Sequence, residues 1–158
     1  MKRRDFLASS MAGGALLSVD VTSDMFYLTD LSGNPFVSLP TGSGTHTGVT
    51  LVQSGQWAAH IAISDKFNDE IKYFDMTGSF VSSFSTNVSA DFDGTTPEDV
   101  AFIGITAGGM YDNHLAIPDY GKDKVYLVDQ NGSWVSSIDT SPFTNNAMGA
   151  VHLPGTDM

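Results

Sequence analysis

Asp91-Phe92-Asp93-Gly94, followed by Glu98-Asp99, sets carboxylates at alternate positions ahead of a glycine. Hard oxygens spaced in this way can converge on a divalent cation when glycine permits the sharp turn, which makes Asp91, Asp93 and Glu98 candidate Ca2+ ligands. Asp-Gly is equally an ordinary turn, and a full loop of this kind needs further oxygen ligands before its terminal Glu. A second cluster, Gly108-Gly109-Met110-Tyr111-Asp112-Asn113-His114, corresponds to Ser54-Gly55-Gln56-Trp57-Ala58-Ala59-His60. Trp57 and Tyr111 stand at matching places ahead of an apolar run. Rings so placed either stack on a sugar or peptide or pack over adjoining structure, and Asp112 and Asn113 add polar groups beside Tyr111. Trp57, Tyr111, Asp112 and Asn113 are therefore candidate ligand contacts. No Ser lies in a G-x-S-x-G or S-x-x-K setting, so no catalytic residue is assigned.

The elements that position these residues recur. Asp20, Asp24, Asp30 and Gly33 are followed at the same internal spacing by Asp65, Asp69, Asp75 and Gly78, then by Asp119, Asp123, Asp129 and Gly132. The second and third copies align without a gap at an offset of 54, and 12 of 27 positions from His60 to Thr86 are identical. The first copy lies 45 residues before the second and is more degraded. A repeat of this length marks a unit that must stack on copies of itself. Each copy carries short runs rich in Val, Ile, Phe and Tyr, too short for helices; in the second they are Val49–Gln53, Ile61–Ser64, Ile71–Phe74 and Phe80–Phe84. Asp30 with Gly33, Asp75 with Gly78, and Asp129 with Gly132 read as structural turns, with Asp bonding nearby N–H groups and Gly taking a positive φ. His60 and His114, equivalent residues at a strand start, read as structural. Four antiparallel strands in about 45 residues predict an all-β chain of β-propeller blades.

The string HIAISDKFNDEIKYFDMTGSFV, with HLAIPDYGKDKVYLVDQNGSWV after it, resembles the NHL repeat and related six-bladed propeller repeats over nearly the whole chain. It departs at Met25, Glu70 and Lys124, where that family often has Arg. Asp112-Asn113-His114 faintly resembles the acidic and amide ligands that gluconolactonase-like propellers present to a divalent cation. The first resemblance implies a propeller ring, and the second implies a metal in its tunnel that polarises a substrate carbonyl and activates water.

Residues 15–41 align with the last three strands of a blade, 46–86 and 97–141 with whole blades, and 147–155 with a lone first strand. About three blades cannot close a ring, since propellers usually need at least four. Either two chains complete a six-bladed ring as a homodimer, or the sequence is a fragment of a longer gene. Ahead of the blades, residues 1–14 are leader-like: Met1-Lys2-Arg3-Arg4-Asp5-Phe6-Leu7 resembles a twin-arginine export signal, and the apolar stretch after it is too short to span a bilayer. Export to a periplasmic or extracellular location is the expectation.

Charge narrows the partners. The formal net charge is −11, and beyond the leader only Lys66, Lys72, Lys122 and Lys124 stand against 17 carboxylates. No basic stripe exists, so nucleic acid is disfavoured. There is no Cys, which excludes disulfides and thiolate metal sites. The leading expectation is an exported, non-enzymatic binding module that recognises a protein, peptide or carbohydrate through loops at one end. The alternative is a fragment of a Ca2+-dependent, gluconolactonase-like hydrolase.

Overall fold

The computed structural model describes residues 15–20, 25–30, 34–40, 46–104, 109–144 and 146–150. Eleven strands and no helix occur among them. β1 (Ala15–Asp20), β2 (Met25–Asp30) and β3 (Pro35–Pro40) form one antiparallel sheet. The second sheet is β4 (His46–Val52), β5 (His60–Asp65), β6 (Glu70–Phe74) and β7 (Phe80–Ser85), in that order. The third is β8 (Ala101–Ile103), β9 (His114–Asp119), β10 (Lys124–Val128) and β11 (Trp134–Asp139). These are the four-stranded antiparallel units that the repeat predicts. The leader-like segment and Gly33 lie outside the described residues, as does most of the expected strand 147–155; its residues 147–150 are not in strand.

The middle strands show why stacking is obligatory. β5 is buried from Ile61 to Asp65 and β9 from Leu115 to Asp119, on both faces of the pleat. Alternation is lost when both faces of a strand are covered; on the far face of β9, Ala116 is covered from within its own sheet and by Tyr111 and Ala150. One core fills the seam between the second and third sheets: Val52, Ile71, Tyr73, Val100, Phe102, Leu115, Tyr126 and Val128 meet there, with Phe92 from the connection between the sheets. Each such side chain contributes roughly 1.5–3 kcal/mol by leaving water. β8 is three residues long. Its register places Ala101 opposite Ala116 where Thr50 stands opposite Ala62, so the loop to the next strand is longer in the third sheet.

Two of the three repeated turns lie among the described residues. Asp75 Oδ1 accepts from the N–H groups of Thr77 (2.8 Å) and Ser79 (2.9 Å), and Asp129 Oδ1 accepts from those of Asn131 and Ser133 (both 2.8 Å). Gly78 and Gly132 close these turns at φ +84° and +83°. A second repeated feature was not read from the sequence. Asp69 and Asp123 take φ +52° and +51°, and their carbonyls accept the N–H of Thr86 (2.7 Å) and Thr140 (2.8 Å) where the outer strands end. Asp is among the few residues that tolerate this region, which explains an Asp at that spacing in the second and third copies.

Candidate functional site

In each four-stranded sheet two loops emerge at either end. At one end lie 53–59 and 75–79 of the second sheet, with 109–113 and 129–133 of the third. At the other lie 66–69, the connection 86–100 and 120–123.

Trp57 is drawn into the seam between sheets. Its ring stacks on Tyr73 (centroids 5.0 Å apart, 22° between planes), and its backbone N–H donates to Gln130 Oε1 of the third sheet (3.0 Å). Gln130 is buried and returns a bond from Nε2 to Ser54 O (2.7 Å), while Tyr73 Oη donates to Gln130 O (2.8 Å). Asn113 holds φ +61° and accepts from Ser54 Oγ (2.5 Å). Tyr111 packs against the cluster of Ala101, Ala116 and Leu127 on the far face of the third sheet. His60 and His114 each donate from Nδ1 to a carbonyl two residues back, Ala58 O (3.0 Å) and Asp112 O (2.8 Å). Trp57, Tyr111 and Asn113 at this end thus hold neighbouring sheets and loops in place, and Phe80, Met110 and Trp134 are exposed apolar residues there.

The opposite end gathers Lys66, Lys72, Lys122 and Lys124. Lys66 pairs with Glu98, and its ammonium lies 5.6 Å from the centre of the Tyr120 ring. Lys72 reaches Asp65 Oδ2 at 2.5 Å and Glu70 at 3.5 Å. Burial works to raise the Asp65 carboxyl, but hydrogen bonds from Lys72 and Asn68 outweigh it and leave the group below its ordinary value. Asp69 goes the other way, raised by burial and then by the charges of Asp119 and Asp65. The equivalent aspartates have diverged. Tyr126 occupies the Lys72 position in the third sheet, and Asp119 is held by Thr96 instead, from its N–H (2.9 Å) and Oγ1 (2.8 Å).

The residues read as calcium ligands separate here. Asp93 accepts from Lys122 Nζ (2.8 Å) and Tyr126 Oη (2.6 Å), Glu98 is bound to Lys66, and Asp91 is exposed. Two of the three carboxylates already face ammonium groups, and no group of three His, Asp or Glu side chains suited to a metal occurs among the described residues. This donor set does not fit a divalent cation. The Lys122 hydrogen bond, followed by that of Tyr126, lowers the Asp93 carboxyl to about 2. Burial, and then Asp93, raises the Tyr126 phenol.

A carboxyl held below its unfolded value stabilises the fold above that value, and the contribution fades as pH falls through the folded one. Asp93→Asn is therefore expected to lower the melting midpoint at pH 7. The deficit relative to wild type should shrink between about pH 4 and about pH 2. Thermal melts across that range check it; a deficit independent of pH would show that the Asp93 charge contributes nothing.

Asp99 was not singled out for the role it plays. It lies just before β8, at the place in register where β4 has Gly48, and a Cβ on Gly48 would come 2.1 Å from Asp99 Oδ1. Asp99 Oδ2 accepts from Ala150 N–H (3.3 Å), and burial raises its carboxyl. One carboxylate thus ties the segment after the third sheet to the inner strands. Its only signal in the sequence is the pairing of Gly48-Val49 with Asp99-Val100.

No protein-family model and no curated protein matches the sequence. Solved structures do. Glutaminyl cyclase of Myxococcus xanthus superposes with a TM-score of 0.63 at 14% identity, over 82% of this chain and 50% of that one. A catalytically inactive virginiamycin B lyase of Staphylococcus aureus, solved with quinupristin, gives 0.54 at 12% over 86% and 41%. The WD40 domain of Neurospora crassa Pan2 gives 0.50 at 14% over 74% and 31%. These are β-propeller-type proteins, and the chain has a propeller fold. It spans half or less of the length of each of these structures.

Proposed function

We propose that the chain is a β-propeller binding module whose ligand face is the loop end bearing the connection 86–100, and that its partner is a basic protein or peptide segment. One observation carries this reading: Phe67 (78% exposed), Val88 (61%), Tyr120 (42%) and Phe143 (86%) all project at that end. Large apolar side chains rimmed by charge mark interaction surfaces. The rim favours cations, because carboxylates there outnumber the four lysines, and those lysines are held in ion pairs. Twin-arginine-type export remains part of the reading, resting on Met1–Leu7.

Fluorescence-labelled peptides combining Lys or Arg with aromatic residues provide the probe. Binding should weaken at least tenfold in Phe67→Ala and weaken with added salt, at an unchanged melting midpoint. Affinity that survives both Phe67→Ala and Phe143→Ala, or that increases with salt, would refute this ligand face.

A further inference from the structure

The seam between the second and third sheets contains the rule for the next one. From the second sheet, Phe84, Tyr73 and Trp57 reach across it. The third sheet meets them with its Asp129–Gly132 turn. Phe84 lies against Gly132 so closely that a Cβ there would stand 2.4 Å from the ring, and Gln130 binds the backbone of Ser54 and Trp57.

Moved on by 54 residues, the same three positions are Ile138, Leu127 and Tyr111. Register confirms the equivalence: Phe84 stands opposite Ile71, and Ile138 opposite Val125. Val125, Leu127 and Tyr111 form an apolar patch on the third sheet's far face, with Ala150 over part of it. Ile138 is left 50% exposed. No further sheet stands against this face among the described residues, whereas its counterpart is sealed by an Asp-to-Gly turn and a sheet face.

We infer that this face docks the first sheet of a second copy of this chain. Three features favour a copy as occupant. The required complement is a blade of this same repeat, as the sealed seam shows, and the first sheet has the repeat's Asp-to-Gly turn in its sequence. The face continues an interface already present within the chain. Ile138, the counterpart of Phe84, is also left 50% exposed where such a turn would cover it. Such a contact repeats twice and closes with two-fold symmetry.

Analytical ultracentrifugation of the full chain at micromolar concentration tests the inference. The expected result is a dimer of about twice 16.8 kDa. Ile138→Asp should give a monomer with an unchanged β-sheet circular dichroism spectrum, because the substitution places a charge in the apolar seam. Phe67→Asp, at the proposed ligand face, should remain dimeric, so the failure of one reading is separable from failure of the other. A folded monomeric wild type would overturn the inference by showing that something other than a copy completes this face. A ladder of higher oligomers, or a dimer that persists in Ile138→Asp, would also overturn it.

Discussion

Gly132→Val is expected to destabilise the protein by about 2–6 kcal/mol, with Phe84→Ala in the same chain relieving part of that loss. Two separate costs act at this position. At φ +83° a β-branched residue sits in a sparsely populated region, at roughly 1–3 kcal/mol. The added Cβ would also stand 2.4 Å from Phe84 Cγ and Cδ2 and 2.8 Å from Phe84 Cβ, and overpacking of this kind costs about 1–3 kcal/mol. Truncating Phe84 removes the two ring contacts but leaves its own Cβ at 2.8 Å and φ as it was. In a double-mutant cycle by urea denaturation, the doubly substituted protein should therefore lose at least about 1 kcal/mol less than the sum of the single losses. Strict additivity would mean that the turn does not bear on the neighbouring sheet. Since small domains have only about 5–15 kcal/mol in total, Gly132→Val alone could deplete much of the folded population.

Most of the fold was legible because its signals are local and repeated. The Asp75–Gly78 and Asp129–Gly132 turns need only their own backbone, so residue type and spacing suffice to place them. The candidate site was less legible because its residues are defined across a seam. Trp57 looks like a ligand contact until Tyr73 stacks on it and Gln130 arrives from 73 residues away. Asp93 looks like a metal ligand until Lys122 and Tyr126 claim its oxygens. A lone sequence does not reveal which sheet's lysine will meet which loop's carboxylate. The exposed aromatics posed a different difficulty, since neither residue type nor spacing separates Phe67 and Phe143 from the buried phenylalanines.

The non-repeating connection invites the second large prediction: Phe92→Ala should cost about 3–5 kcal/mol, close to what a central core residue costs. The connection carries no repeat marker, which is why its acidic residues suggested a ligand loop. In the structure Phe92 is fully buried, its ring 5.1 Å from that of Tyr126 at a 55° tilt, among the residues that seal the seam between the sheets. Backbone bonds lock it there: Val88 N–H donates to Phe92 O (2.9 Å), and Gly94 N–H donates to Thr86 O (2.8 Å). Gly94 itself leaves little room, since a Cβ on it would lie 3.1 Å from Thr86 O and 3.3 Å from the Tyr126 ring. The loop is thus a plug, and the carboxylate next to its buried ring anchors the Tyr126 hydroxyl on which that ring rests. For a chain of this size each kcal/mol lowers the melting midpoint by about 2–4 °C, so Phe92→Ala should melt roughly 6–20 °C below wild type. Asp91→Ala, exposed in the same loop, should stay within about 0.5 kcal/mol of wild type. If Phe92→Ala proved as mild as Asp91→Ala, the connection would be an appendage rather than part of the core.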